Sequence, residues 1–535
     1  MPKNVLFIMC DQLRADYLGC AGHPTIKTPN IDALAARGVR FSQSYVQSPI
    51  CGPSRMSTYT GRYVRSHGSD YNQVPLRVGE WTLGDHLGTF GGRAVLCGKT
   101  HMKADLAGMA RLGIDPASRH GRHIAEGGFN IWDRLDGLHP PGGKAPSHYN
   151  DYLRRHGMDG DSPWQDWVAS VVDTDGTIKN GWLNKHIHLP ARVPEEHSET
   201  AYSTNRAIEF MDQADDAPWC LHLSYIKPHW PLAAPAPYHD MYGPADVVPV
   251  VNPDPDLESL HPINRANHPA RYARIYDRDG AREQVIAAYM GLITQVDDHV
   301  GRIVTWLEDR DQLKDTLIIF TSDHGDYLGD HGMGEKMYFH DASAKVPLII
   351  YDPDGAADAT RGTVDDSLTE AIDLVPTIVD FMGGQVQPHI LEGRSLVPLL
   401  RGQDVAWRDC AFSQATYSRT GARDALDQPT SDCDMIMAYD GRWKYVYCQG
   451  QRPMLYDLKA DPDEVTDLGA NPDFAAERDR LQARVFEGML DSRHRVTEPD
   501  SVIENEPPEF TCGILIGFWD DAELERAMAA AQAGV

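Results

Sequence analysis

Cys51, Pro53, Arg55, Thr60 and Gly61 fall within eleven consecutive residues of this 535-residue chain. Pro53 suits the first turn of a helix, where a missing N–H costs nothing, and Gly61 suits the left-handed position just past a helix end. The spacing predicts a short helix with Cys51 at its mouth. Unbonded N–H groups and the positive dipole end gather there and attract anions. Arg55, one turn inside, carries a planar fork that fits a tetrahedral oxyanion. A free cysteine is most often a small buried thiol, so the chemistry depends on its company. Four apolar runs empty into polar residues: 4–9 into Asp11-Gln12, 94–97 into Lys99 and His101, 219–226 into Lys227 and His229, and 316–320 into Asp323-His324. Two carboxylates and an imidazole gathered at a nucleophile suit a divalent cation, and the lysines and histidines suit an anionic group and proton transfer.

The elements between these runs must bring them together. Thr28-Pro29 starts a helix that Gly38 stops, and 39–45 leads back toward a sheet. Helices are expected at about 200–213 and 282–308, the latter carrying the stripe Val285, Tyr289, Leu292, Val296, Val300, Ile303 and Leu307. A further strand is expected at 346–351 and a helix at 367–382. Strands alternating with helices imply an α/β fold with a mostly parallel sheet covered on both faces, and such sheets bind ligands beyond the carboxyl ends of their strands. Residues 103–197 and the Pro-rich 231–270 stretch read as insertions and loops over that edge. From about 405 the pattern changes to short antiparallel strands at 410–414, 435–439 and 443–447, with Asp440-Gly441 as a hairpin turn and a helix at 475–490. We therefore expect a catalytic α/β domain over 1–404 and a smaller antiparallel-sheet domain over 405–500. A homo-oligomer is expected, and a tail over 501–535, apolar at 510–519 and helix-like at 522–532, is expected to pack either at a subunit interface or on its own chain.

A net charge of −28 argues against nucleic acid as a partner, because phosphate backbones demand a basic face. It leaves room for a local basic pocket and a small anionic substrate. Nine cysteines without regular spacing form neither a disulfide framework nor a zinc pattern, which favours a reducing compartment. The apolar run near the amino terminus is too short for a secretory or membrane segment, so a cytoplasmic protein without membrane attachment is expected.

The pattern Cys-x-Pro-x-Arg followed by four residues and Thr-Gly resembles the sulfatase motif, whose cysteine is oxidised to formylglycine. The stretch Thr28-Pro29-Asn30-Ile31-Asp32-Ala33-Leu34-Ala35 and the line Leu455-Tyr456-Asp457-Leu458 with Asp461-Pro462-Asp463-Glu464 also resemble that family. Nearly the whole chain looks like a member of the alkaline phosphatase superfamily, on the branch of sulfatases and phosphonate monoester hydrolases. The resemblance implies a large mixed, mostly parallel sheet flanked by helices. It implies maturation by a formylglycine-generating enzyme and one divalent metal held by Asp11, Asp323, His324 and the modified Cys51, with Gln12 and Asn72 as further candidates. Many sulfatases carry Asp where Gln12 stands and Asn where His324 stands, giving a calcium site. A His ligand favours manganese, zinc or iron. Phosphonate monoester hydrolases share these two departures, whereas Lys99 and His101 match the sulfatase pattern Gly-Lys-x-His. In the implied mechanism Arg55, Lys99 and Lys336 hold charge on the non-bridging oxygens. His229 is the acid for the leaving oxygen, and His101 is the base that releases sulfate from the hydrated aldehyde. The expected activity is hydrolysis of small sulfate esters of aryl type, with side activity on phosphodiesters and phosphonate monoesters. The alternative is the reverse ranking.

Overall fold

The computed structural model of the chain describes residues 3–137, 147–505 and 516–532. Its main sheet has eight strands, β1 (Asn4–Asp11), β2 (Val39–Tyr45), β3 (Arg93–Gly98), β4 (Asn130–Arg134), β7 (Trp219–Pro228), β8 (Thr316–Ser322), β9 (Leu348–Tyr351) and β10 (Thr363–Glu370). They lie in the order β10-β2-β9-β8-β1-β7-β3-β4, while β5 (Ser170–Val172) and β6 (Ile178–Asn180) pair separately as a hairpin. All neighbours in the main sheet are parallel except β9, which is antiparallel to both β2 and β8.

The run at the amino terminus is continuously apolar because β1 is covered on both faces. Leu6, Ile8 and Cys10 face a core shared with the long helix Ala281–Asp309, whose Val285, Tyr289, Val296, Val300 and Leu307 are buried there. Val5, Phe7 and Met9 face the opposite core with Met56, Tyr59, Leu374 and Ile378. This alternation fixes the register: Phe7 pairs with His222 of β7 on one side and Ile319 of β8 on the other. As a result β1, β3, β7 and β8 end together, and their carboxyl ends carry the polar residues.

Two expectations need correction. Residues 367–370 are not helical: Thr363–Glu370 forms the edge strand β10 beside β2, and the helix starts later, as a 3-10 turn over Ala371–Asp373 that runs on into Leu374–Phe381. The Glu370 amide donates to the Asp373 carboxylate at 2.8 Å, and Arg408 also binds both acids, so this turn is a junction between strand and helix. Residues 103–197 are more than loops. They supply β4 to the sheet edge, the helices Leu106–Arg111, Arg119–Ala125 and His148–Arg155, and a small core around Tyr149, Leu153, Trp164 and Val168.

Strands β11 (Ala411–Thr416), β12 (Asp434–Tyr439), β13 (Trp443–Cys448) and β14 (Met454–Asp457) form an antiparallel meander, with Gly441 at φ 90° in the hairpin turn. One face receives Leu481 and Val485 of the helix Ala475–Leu490. The other packs Met435, Met437 and Tyr456 against Tyr45, Tyr327 and Phe339 of the larger part. At this seam the buried Lys444 lies 2.6 Å from both Asp341 and Glu464. Most of the apolar stretch in the tail lies outside the described residues. Its described end is uncovered, with Ile516 and Trp519 exposed by 85% and 90%, and the helix Asp521–Gln532 follows. No helix among the described residues is long and apolar enough to cross a membrane.

Gly98, the last residue of β3, aims Lys99 into the site from φ +114°, and a Cβ there would stand 2.1 Å from the Ser224 carbonyl oxygen. Gly98→Ala is therefore expected to cost roughly 1–3 kcal/mol of stability in urea denaturation and to lower activity along with it. Unchanged stability would show that this close approach is not a constraint.

Candidate active site

The predicted helix is present as Cys51–Thr60, with Gly61 left-handed at φ 65° and every helical residue buried. Its first turn is held from outside. The Gly52 amide donates to Asn72 Oδ1 at 2.8 Å, and Ser54 Oγ donates to the Asp323 carbonyl at 2.5 Å. The helix mouth is thereby tied to the loop after β8. Asn72 fastens the turn next to Cys51 through this bond.

Asp11, Cys51, Asp323 and His324 converge, with one ligand atom from each lying within 4.8 Å of the others, and all four are buried. The Gln12 backbone N–H donates to Asp323 Oδ1 at 3.1 Å, which ties the end of β1 to the end of β8. His324 Nδ1 faces the Gly325 carbonyl at 2.8 Å, so the neutral ring carries its proton there and Nε2 is left bare. Nε2 lies 3.1 Å from Cys51 Sγ and 3.5 Å from Asp323 Oδ1. Two carboxylates, a bare imidazole nitrogen whose tautomer is fixed from behind, and the residue-51 atom form a donor set that fits one divalent cation. Gln12 does not complete it. Its Nε2 donates to Asp326 and its Oε1 accepts from Lys336 at 3.0 Å, so the side chain is already engaged.

Cys51 Sγ is a buried free thiol among charged side chains. Lys336 Nζ is 3.2 Å away, Asp11 Oδ1 is 3.9 Å away, and His101 and His229 line the same cavity. Burial alone would raise the thiol, but Lys336, His324 and Lys99 carry it well below its ordinary value. The site thus favours negative charge at this atom. Burial likewise works against ionisation of Asp11, yet Lys99, His229 and Arg55 hold its carboxyl below the usual range.

Arg55 behaves differently from the expectation. Its Nε donates to Asp323 at 2.7 Å, and one terminal nitrogen bonds the Lys99 carbonyl at 3.0 Å and Ser224 Oγ at 2.8 Å. The other reaches Asp11 at 3.3 Å, and the side chain is fully buried. Every guanidinium nitrogen is engaged inside the protein, so Arg55 lies behind the two carboxylates and positions them. Lys99 is ion-paired with Asp11, which leaves Lys336 as the lysine directly against residue 51. His229 donates from Nδ1 to the Trp230 carbonyl at 2.8 Å, and burial pushes it down to about 4 despite Asp11. At that value the ring is neutral at pH 7.

Some contributors were not singled out from the sequence. Asp136, just past β4, accepts from the backbone N–H groups of Thr100 at 2.8 Å and His101 at 3.0 Å. It thereby holds His101 at φ 53°, an uncommon conformation for a residue with a Cβ. Asp326 orients Gln12, and Glu335 lies 3.7 Å from Lys336. Burial pushes Glu335 up to about 7 against the pull of Lys336, with Asp326 adding to the rise. Asp326 is visible in the run after β8, but Asp136 carries no local signal because its partners lie 35 and 36 residues away.

The sheet, the buried helix Cys51–Thr60 at its carboxyl edge and the cluster of acids, histidines and lysines define a hydrolase of the alkaline phosphatase superfamily. Within it the chain belongs to the sulfatase family: the Sulfatase family model matches residues 3–384, and that for the N-sulphoglucosamine sulphohydrolase C-terminal region matches residues 329–490. The chain is 33% identical over 505 residues to the multifunctional alkaline phosphatase superfamily protein PehA of Trinickia caryophylli, covering 89% of this chain and 92% of that one. It is 27% identical to an arylsulfatase of Clostridium perfringens over 95% of this chain and 98% of the other. Among solved structures, phosphonate monoester hydrolase from Silicibacter pomeroyi superposes with a TM-score of 0.81 at 30% identity, covering 92% of this chain and 96% of its own.

Asp136→Ala should release the His101 backbone and lower kcat/KM by roughly 10- to 100-fold with the fold intact, since a displaced catalytic group costs that much. Asp136→Asn, which keeps an acceptor oxygen, should recover most of the loss. Equal activity of the two variants would remove Asp136 from this role.

Proposed function

We propose that this protein is a formylglycine-dependent sulfatase that hydrolyses sulfate monoesters of aryl type, with side activity on phosphodiesters and phosphonate monoesters. The observation that carries the reading is the position of residue 51. It lies at the mouth of a buried helix, between a donor set that fits a divalent cation and a second set made of Lys336, His101 and His229. All three ester classes present one negative charge around a tetrahedral centre, and one lysine beside one cation position suits that charge.

Asp11, Asp323, His324 and residue 51 would hold the metal, which supplies Lewis acidity and a lowered pKa for a coordinated hydroxyl. Formylglycine at position 51 would supply an aldehyde hydrate with a second hydroxyl, so that release of the inorganic anion needs no water attack on sulfur. Arg55 keeps the two carboxylates in place, and Lys336 balances charge on the non-bridging oxygens. His229, protonated once the anionic ester is seated, delivers its proton from Nε2 to the leaving oxygen. His101 removes the proton that ends the cycle. Among the described residues its Nδ1 is buried without a hydrogen-bond partner, which leaves that nitrogen uncommitted.

Gln12, His324 and the likeness to the phosphonate monoester hydrolase support the reverse ranking as a second reading. Rates on an aryl sulfate, a phosphodiester and a phosphonate monoester, measured on one metal-loaded preparation, decide between the two. Loss of sulfur at residue 51 in a peptide mass spectrum tests the modification, and an intact thiol in active enzyme would exclude it.

Two variants test the assignments. Asp323→Ala should lower kcat/KM by at least ~10²-fold and reduce the bound metal, because it removes both a ligand and the main partner of Arg55. His101→Ala should release about one equivalent of alcohol in a burst and then stall, since only the closing proton transfer is lost. An unchanged steady rate without a burst would move that role to another residue.

A further inference from the structure

Cys51, His101, His229 and Lys336 sit within a cavity of about 1500 Å³. That exceeds the several hundred cubic ångströms that enclose a small ligand, so the cavity has room for much more than the ester group. Much of its wall is aromatic. Trp182 and Trp230 face each other with ring centroids 5.5 Å apart, Trp230 lies 4.3 Å from the His229 ring, and Tyr71, Tyr272 and Tyr276 extend the surface.

Four cations from three segments of the chain also line this cavity: Lys185, Arg271 with Arg278, and Arg419. All four are exposed, and among the described residues none of their side chains is paired with a carboxylate. The acids of the same wall, Asp326 and Glu335, are taken up by Gln12 and Lys336. In a chain of net charge −28, carboxylates are plentiful, so the convergence of four uncompensated cations on one cavity sets up a positive field at its outer part. Arg419 is also placed by geometry. Its guanidinium carbon lies 5.5 Å from the centre of the Tyr71 ring, and Tyr71 adjoins Asn72, which holds the turn next to Cys51. An aromatic ring thus separates Arg419 from the nucleophile turn.

We propose that the alcohol released here is aromatic or otherwise flat and apolar, and that it carries a second anionic group bound by Arg419 and Arg271. The preferred substrates are then esters with two separated negative charges, one at the reacting centre and one at the cavity's outer wall. Arginine suits the second position because its fork meets carboxylate, sulfate or phosphate oxygens in pairs. This deepens the sulfatase reading and rests on it for the identity of the ester group, although not for the second anion.

The test compares two nearly isosteric leaving groups, 4-carboxyphenyl and 4-carbamoylphenyl, each as a sulfate ester and as a phenylphosphonate monoester. Wild-type kcat/KM should favour the carboxylate at least ~10-fold in whichever ester class is turned over, the size expected of a charge-assisted bidentate contact. Arg419→Ala combined with Arg271→Ala should bring that ratio to within about twofold of one, and Arg419→Lys should keep part of it. Calorimetric binding of 4-hydroxybenzoate against 4-hydroxybenzamide reads the same preference without turnover. A wild-type ratio at or below one, or a ratio that survives the double variant, overturns the proposal. Turnover of the phosphonate esters alone would overturn the sulfatase ranking while leaving the ratio, and the second anion, to be read from those esters.

Discussion

The site depends on one buried ion cluster, the Arg55 guanidinium held between Asp11 and Asp323. Two carboxylates arriving from the ends of adjacent parallel strands repel each other, and both are fully buried. A cation already fixed in the fold is what allows them to stand together. Removing one partner from such a cluster leaves an uncompensated buried charge, which costs roughly 3–5 kcal/mol. Arg55 can fill this place because the helix Cys51–Thr60 puts it one turn below residue 51, and because Ser224 and the Lys99 carbonyl take its remaining donors. The helix that carries residue 51 and the two acids are therefore joined through one side chain, with Asn72, Ser54 and Lys99 adding further ties.

Most of this architecture was legible in the sequence. Apolar runs covered on both faces leave a strong signal, and the polar residues at their ends name the edge where the site forms. The long helix declared itself through its stripe, and the nucleophile helix through Pro53 and Gly61. Other features were hidden for physical reasons. Thr363–Glu370 is an edge strand whose outer half is exposed, so its pattern lacks a continuous apolar run and blends into the following helix. The 103–197 region builds its core with help from Ile226 and Ala233, far along the chain, which no local periodicity reveals.

Within the site, residue types were easier to read than roles. An arginine near a helix mouth is as suited to a substrate oxyanion as to a buried carboxylate, and only the tertiary contacts decide that Arg55 takes the second option. Gln12 was a candidate metal ligand by position, yet Asp326 and Lys336 claim both ends of its amide. His324 shows the converse case. Its neighbour's carbonyl fixes the proton on Nδ1, so the ring is prepared as a ligand by its own backbone.

The seam at Lys444 bears on how the chain is made. Lys444 and Glu464 reach Asp341, which also accepts from the Tyr45 hydroxyl at the end of β2, so contacts laid down early in the sequence wait for residues that arrive much later. While the first four hundred or so residues have left the ribosome and the rest have not, the apolar face formed by Tyr45, Tyr327 and Phe339 has no cover. At about 5–20 residues per second this interval lasts several seconds. The carboxy-terminal sheet is thus the last layer applied to a surface that must stay unpaired during synthesis, and a chain stalled or truncated ahead of it would present that surface to other nascent chains.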